Sequence, residues 1–252
     1  FAAAAGALFV WPRWWWAIGA GAIVVSQWAI TTAWADAKFG TIVNAVALVG
    51  VVFGFLAHGP MSLRAQYETD VERGLARLGP ERLVTEADVA HLPAPVQRYL
   101  RVAGVVGSPR VQNFRARMHG RIRSGPDAAW MPFTCEQYNF YDQPSRLFYM
   151  NASKMLVPFQ GLHRYVGSAA TMRVKVAALV PVVDAAGSEM TDAETVTMFN
   201  DMCIFAPATL IDSAIAWEPV DARTVRASFT NAGRTICAEL VFNEAGELTN
   251  FW

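Results

Sequence analysis

Two long apolar segments lie near the start of the chain, at residues 14–35 and 39–58. An α-helix rises ~1.5 Å per residue and the hydrocarbon core of a bilayer is ~30 Å thick, so about 20 apolar residues suffice for one crossing. The charged residues of this region, Arg13, Asp36 and Lys38, all lie outside the two segments. The pattern therefore predicts an α-helical membrane hairpin.

The flanks of the hairpin predict its setting and its orientation. Residues 1–11 are apolar but too short to cross, and we interpret them as the partial end of a further span, so that the hairpin belongs to a truncated bundle. Arg13 lies on the same side as the basic residues that follow residue 58, because two crossings separate them. Positive residues favour the cytoplasmic side, so we expect a multi-pass protein whose large domain is cytoplasmic.

The rest of the chain has the pattern of an α+β domain. Residues 60–104 predict an amphipathic neck followed by short helices, because Leu63, Tyr67 and Val71 repeat at helical spacing and Thr85 to Asp88 has the form of a capping box. Residues 105–252 predict an antiparallel β-rich domain. Its candidate strands are residues 114–122, 129–141, 147–152, 171–177, 214–218, 224–229, 235–242 and 247–252.

One helical insertion interrupts the strands, at residues 192–211. Thr191 and Glu194 have the spacing of a capping box before an apolar stripe, and Pro207 follows that stripe. Short antiparallel links and one helical insertion predict a curved antiparallel sheet or half-barrel with helices on one face.

Composition excludes several classes of function. Equal totals of 21 basic and 21 acidic residues argue against a nucleic-acid partner. Cys135, Cys203 and Cys237 form no C-x-x-C pair, which predicts free thiols without a disulfide framework or a metal site. Motifs for a nucleophile elbow, a zinc protease, a P-loop or a dinucleotide are absent from the sequence, so we expect no cofactor and favour a protein that is not an enzyme.

Several segments resemble an uncharacterised family of bacterial multi-span membrane proteins with a conserved domain of unknown function. The segments are residues 14–16, 36–41, 92–100, 161–165, 180–184, 200–203, 205–207 and 242–248. The resemblance implies a bacterial inner (plasma) membrane location and says nothing of an activity. More distantly, the soluble part resembles the half-barrel of lipoprotein carriers, which hold acyl chains; this is an analogy of fold alone.

Candidate ligand-binding residues lie on the predicted strands and between them. We expect His163, Arg164 and Tyr165 to form a loop that could bind an anion such as a lipid phosphate. Arg117 lies on a strand with four more basic residues at alternate positions, and these residues either meet anionic headgroups or pair with carboxylates on neighbouring strands. Trp130 and Tyr138 begin an aromatic run that is apolar in both alternation phases, which predicts an apolar pocket.

Three hypotheses of function follow. The leading one is a membrane-anchored binding module for a lipid or another hydrophobic, anionic ligand. The second is an enzyme acting on a membrane-embedded substrate, with His163 used together with Asp184, Glu136 or Asp201, or less favourably with Cys203 as a nucleophile. The third is a structural or regulatory subunit whose spans bind a membrane-protein partner or another copy of the chain.

Overall fold

The computed structural model describes residues 1–11, 13–155 and 157–252. It begins with four helices: α1 (Ala2–Val10), α2 (Trp15–Thr32), α3 (Trp34–Ala37) and α4 (Gly40–His58). Helices α2 and α4 are joined by side-chain hydrogen bonds, in which Ser26 Oγ donates to Asn44 Oδ1 at 3.1 Å and Asn44 Nδ2 donates to Gln27 Oε1 at 3.0 Å. Polar side chains thus connect the two apolar helices.

One helical stretch is long and apolar enough to cross a membrane. It covers Gly40–Leu75 and contains a window of mean hydropathy 2.2. Residues 40–58 of the predicted span 39–58 lie within it, whereas the described residues of the predicted span 14–35 do not meet the same test. The structure thus supports one apolar helix and does not show a multi-span bundle.

The neck joins α4 to the rest of the chain through three helices: α5 (Leu63–Leu75), α6 (Glu86–Val89) and α7 (Ala94–Val102). Ser62 caps α5, because its Oγ accepts a hydrogen bond from Ala65 N at 3.0 Å. The predicted capping box at the start of α6 is confirmed, with Thr85 and Asp88 bonded reciprocally.

In the part of the chain that the structure describes, ten strands form two antiparallel sheets. The large sheet has the order β1 to β6 and the small sheet the order β10-β9-β8-β7, so each is a meander of sequential neighbours. Strands of the large sheet are β1 (Asn113–Ile122), β2 (Met131–Phe140), β3 (Ser145–Lys154), β4 (Val157–Val166), β5 (Ala169–Val176) and β6 (Val180–Ala186). Strands of the small sheet are β7 (Ile215–Pro219), β8 (Thr224–Asn231), β9 (Arg234–Phe242) and β10 (Leu248–Phe251).

A long helix, α8 (Ser188–Ile204), and a 3₁₀ turn, Pro207–Ile211, connect the two sheets. Met198, Phe199 and Cys203 of α8 are fully buried in the main hydrophobic core, together with Phe229 and Leu240 of the small sheet. A second core lies under α5, where Leu63, Tyr67 and Val71 pack on the large sheet. The large sheet therefore has an inner face toward α8 and an outer face toward α5.

Three sequence expectations need correction. The single curved sheet with helices on one face is in fact two sheets, which form no closed barrel within the described residues, and helices α5 and α8 pack on opposite faces of the large sheet. The insertion helix begins at Ser188 rather than at residue 192, and Glu194 does not cap it, because both its carboxylate oxygens bind side chains of the large sheet. Strands β4 and β6 were not predicted, because β4 carries polar residues on both faces and β6 contains a proline.

Candidate functional site

The inner face of the large sheet divides into rows that the strand register fixes. One row runs across β2 to β5 through Asn139, Arg146, Tyr165 and Ala170. The next row toward the opposite end of the sheet contains Gln137, Phe148, His163 and Met172. Polar contacts from α8 reach these two rows.

The two following rows form an apolar floor. Its members are Met118, Cys135, Met150, Gly161 and Val174 in one row, and Gly120, Phe133, Ala152, Phe159 and Val176 in the other. None of these ten residues belongs to either hydrophobic core. Seven of them are only partly buried, although every side chain in the set is apolar. Burial of apolar surface stabilises by roughly 25 cal/mol per Å², so covering the exposed part of this apolar face would be energetically favourable.

A buried polar cluster closes the floor at the end where α8 crosses. Arg146 lies at its centre: its Nε donates to Asp201 Oδ2 at 2.9 Å, and its Nη1 donates to Glu194 Oε2 at 3.1 Å. Gln137 and Asn139 also donate to Asp201 Oδ2, at 2.7 and 2.9 Å. One guanidinium thus meets two carboxylates, and every charge in the cluster has a partner.

His163 connects the polar cluster to the floor. Its Nδ1 lies 3.3 Å from Glu194 Oε1, and the imidazole is 22 % exposed. Burial lowers the pKa of His163 below its usual value, although the neighbouring Glu194 carboxylate opposes that shift. The Arg146 guanidinium also lies 5.4 Å from the centre of the Phe148 ring, in the row that borders the apolar floor. A neutral imidazole and the edge of a guanidinium therefore mark the polar end of an apolar surface.

The outer face carries a different site. An open groove of about 330 Å³ lies beside the start of α5 and is lined in part by Arg64, Arg117, His119, Glu136 and Tyr149. Glu136 is its counter-ion, since Arg115 Nε donates to Glu136 Oε1 at 2.6 Å while Arg64 lies 3.6 Å away. Arg117 lines the groove, is 70 % exposed, and its Nε lies 3.9 Å from the same carboxylate.

The structure separates the six residues predicted to bind a ligand. His163 and Tyr165 lie on the inner face of β4, where Tyr165 is completely buried and hydrogen-bonded to Thr195 and Asn231. Arg164 lies on the outer face, and its Nε donates to Asp70 Oδ2 of α5 at 2.5 Å. The predicted loop at 163–165 is wrong, because these residues belong to a strand and alternate between its faces.

The three remaining predicted residues lie on the outer face or at its edge. Arg117 lines the outer groove, and Tyr138 stacks on Phe140 beneath the neck, with ring centres 5.7 Å apart. Trp130 precedes β2 and lies outside the sheet, under the guanidinium of Arg123 at 4.6 Å. Trp130 and Tyr138 therefore do not line the one shared pocket that the sequence had predicted.

The residues proposed for an enzyme do not converge. His163 and Asp201 lie on the inner side, whereas Glu136 and Asp184 occupy outer-face positions of β2 and β6. Asp201 is already held by three side chains. Cys203 is fully buried, and burial raises its pKa to about 12, which disfavours the thiolate that a nucleophile requires. This set of residues forms no catalytic centre.

Sequence reasoning missed the centre of the polar cluster. Gln137, Asn139 and Arg146 flank the tight β2–β3 turn, and a hairpin centred on that turn places Asn139 directly opposite Arg146. The sequence did contain a signal of this cluster: polar side chains occur at alternate positions of β2 and again on β3, in a hairpin that is otherwise rich in aromatic residues. Their partners on α8 could not be paired with them, because about fifty residues separate the two segments.

Comparison with known proteins finds a family match for most of the chain. A family model described as a family of unknown function (DUF6544) matches residues 82–252, which is more than half of the chain. No curated protein and no solved structure matches. The predicted resemblance to an uncharacterised family with a domain of unknown function is confirmed for these residues, while the resembling segments at 14–16 and 36–41 lie before the matched range.

Proposed function

The chain belongs to the DUF6544 family of unknown function, and we propose that it is a membrane-anchored module that binds a lipid or another amphiphile on the inner face of its large sheet. The observation that carries this proposal is the apolar floor, ten inner-face residues without a polar side chain that belong to neither hydrophobic core. A sheet face of this kind requires a cover, and a flexible acyl chain supplies one.

The polar end of the floor suits the headgroup of such a ligand. Arg146 and His163 lie beside Phe148, so an acyl chain along Phe148 and Met150 would bring its polar end within reach of a neutral imidazole. Arg146 is fully engaged by Asp201 and Glu194, which leaves little net positive charge there. The geometry therefore favours a neutral or hydrogen-bonding headgroup on the inner face, and the exposure of Arg117 supports anion binding on the outer face.

We extend the proposal to the membrane. Helix α4 would cross the bilayer with α2 beside it, in a multi-pass arrangement that leaves the sheets on the cytoplasmic side. Support comes from apolar side chains exposed on both helices, such as Val25 and Trp28 on α2 and Val46 and Val49 on α4. The orientation rests on the basic residues that flank the helices.

The experiment is to extract and quantify lipid from the purified full chain after exhaustive exchange into a lipid-free detergent, with native mass spectrometry of the same sample. Met150→Glu would place a carboxylate in the floor and is expected to lower retained lipid at least fivefold. The matched control is Val196→Glu, which changes an apolar residue that is 43 % exposed on α8. Equal lipid retention in the wild type and both variants, or no retained lipid in the wild type, would end the proposal.

A further inference from the structure

The hairpin tips at one end of the large sheet share a property that the other end lacks. In a meander of six strands, the β1–β2, β3–β4 and β5–β6 connections lie at one end, and the β2–β3 and β4–β5 turns at the other. Each tip at the first end carries an exposed apolar side chain: Trp130 is 52 % exposed, Met155 is 90 % exposed and Leu179 is 60 % exposed. We call these three residues, with the described residues beside them in the connections, the tip rim.

The opposite end is polar. The turn between β2 and β3 contains Asp142 and Gln143, and the turn between β4 and β5 contains Gly167 and Ser168. These two turns carry no large exposed apolar side chain in the described residues. Exposed apolar groups at every tip of one end, and at no turn of the other, indicate a surface that meets an apolar phase.

Helix α5 identifies which end lies nearer to the membrane helix. Arg64, in its first turn, contacts Glu136, whereas Arg77, just beyond its last residue, contacts Asp142. The helix therefore runs away from the tip rim, and its start, four residues after α4, is on the rim side. From Glu136 the β2 strand continues five residues to Met131, about 17 Å at ~3.3 Å per residue, so the tips extend past the start of α5 toward the end of α4.

Basic side chains accompany the apolar tips. The guanidinium groups of Arg121 and Arg123 lie 5.9 and 4.6 Å from the ring centre of Trp130, and Lys154 stands beside Met155. Asp127 is the only acidic residue in the three connections. Arginine stacked on tryptophan, with lysine nearby, is the combination that suits an interface of anionic headgroups.

We infer that the tip rim docks on the surface of the bilayer that holds α4, and that its basic residues bind anionic phospholipid headgroups. Docking would open the apolar floor toward the lipid, because the outermost floor residues Phe133, Ala152 and Phe159 lie next to the tips. This inference rests on the proposed membrane crossing of α4, and it stands whether or not a lipid occupies the floor.

The test uses the full chain, with Cys237→Ser as the background because Cys135 and Cys203 are buried. A bimane fluorophore is attached at Met155→Cys or Leu179→Cys, with Ser168→Cys at the opposite end as the matched control. Each protein is reconstituted in vesicles of phosphatidylcholine, with or without one third phosphatidylglycerol, and doxyl-labelled phospholipid is the quencher. We expect at least threefold stronger quenching at positions 155 and 179 than at 168, and more with phosphatidylglycerol than without.

Charge reversal supplies the second arm. Arg121→Glu with Lys154→Glu should reduce quenching at position 179 toward the level at position 168, with circular dichroism unchanged. If that variant fails to fold, the inference is tested by comparing quenching at positions 155, 179 and 168 in the protein without the charge-reversal substitutions. Equal quenching at the three positions would overturn the inference, and equal quenching with and without phosphatidylglycerol would overturn the role of the basic residues.

Discussion

Arg146 is the buried cation at the centre of the polar cluster. It is buried, it is bonded to Asp201 and Glu194, and it forms the only cationic link between the large sheet and those two α8 carboxylates in the described part of the chain. Removing one partner of a buried ionic network leaves the other charges uncompensated, which costs far more than the network contributes as a whole.

Arg146→Met is therefore expected to lower the free energy of unfolding by about 3–5 kcal/mol. Chemical denaturation in detergent, followed by tryptophan fluorescence, measures this change. The control is Arg234→Met, which removes an exposed pair with Asp192 at 3.2 Å and should cost less than about 1 kcal/mol. Similar losses in the two variants would show that the cluster is not the buried network described above.

His163 gives the site a pH dependence with a defined sign. Its folded-state pKa is lowered by burial, so the folded protein binds the proton less readily than the unfolded chain. Stability is then fully present above the unfolded-state pKa of about 6.5 and declines as the pH falls below that value. His163→Gln should reduce the change of the thermal unfolding midpoint between pH 6.5 and pH 5. The same change in this variant and the wild type would contradict the lowered pKa of His163.

At the scale of elements, the contact of α5 with the outer face depends on a small residue. A Cβ built on Gly74 would lie 2.4 Å from Cζ of the buried Phe140 ring. The helix can approach the sheet here because this position has no side chain, and the Asp70–Arg164 pair one turn earlier fixes its register. Helix α5, which follows α4, is thus closely packed on the outer face of the sheet.

Gly74→Ala should accordingly destabilise the protein by about 1–3 kcal/mol through overpacking, although alanine normally stabilises a helix relative to glycine by about 1 kcal/mol. Gly50→Ala in α4 is the matched control, because a Cβ there meets nothing within 4 Å. Thermal unfolding of the two variants in the same detergent compares them. A stabilised Gly74→Ala variant would contradict the close packing of α5 on Phe140.

Prediction of elements from the sequence succeeded where one periodicity dominated. The alternation of Phe114 to Ile122 predicts β1, and the spacing of Leu63, Tyr67 and Val71 predicts α5, because each element buries only one side. Strand β4 escaped prediction because α5 covers one of its faces and α8 the other, so polar and apolar residues occur in both phases. The polar cluster escaped for a related reason, since its partners meet only when α8 folds across the sheet.

At the scale of the whole molecule, the two faces of the large sheet carry different features. The outer face carries the contact with α5, which leads to α4, and the groove around Arg117. The inner face carries the polar cluster, which α8 covers, and the apolar floor, which lies beyond it toward the tip rim. A ligand that enters from the bilayer would therefore meet Phe133 and Phe159 first and reach His163 last.

Photochemical labelling with a phospholipid that bears a diazirine at the end of its acyl chain tests the central claim most directly. The full chain in vesicles is irradiated, digested and sequenced by mass spectrometry. We predict labelled residues in the apolar floor, at Met150, Phe159 and Val174, in addition to those in α2 and α4. Labelling confined to the helices, with the floor peptides unmodified, would contradict the proposed binding of an amphiphile on the inner face.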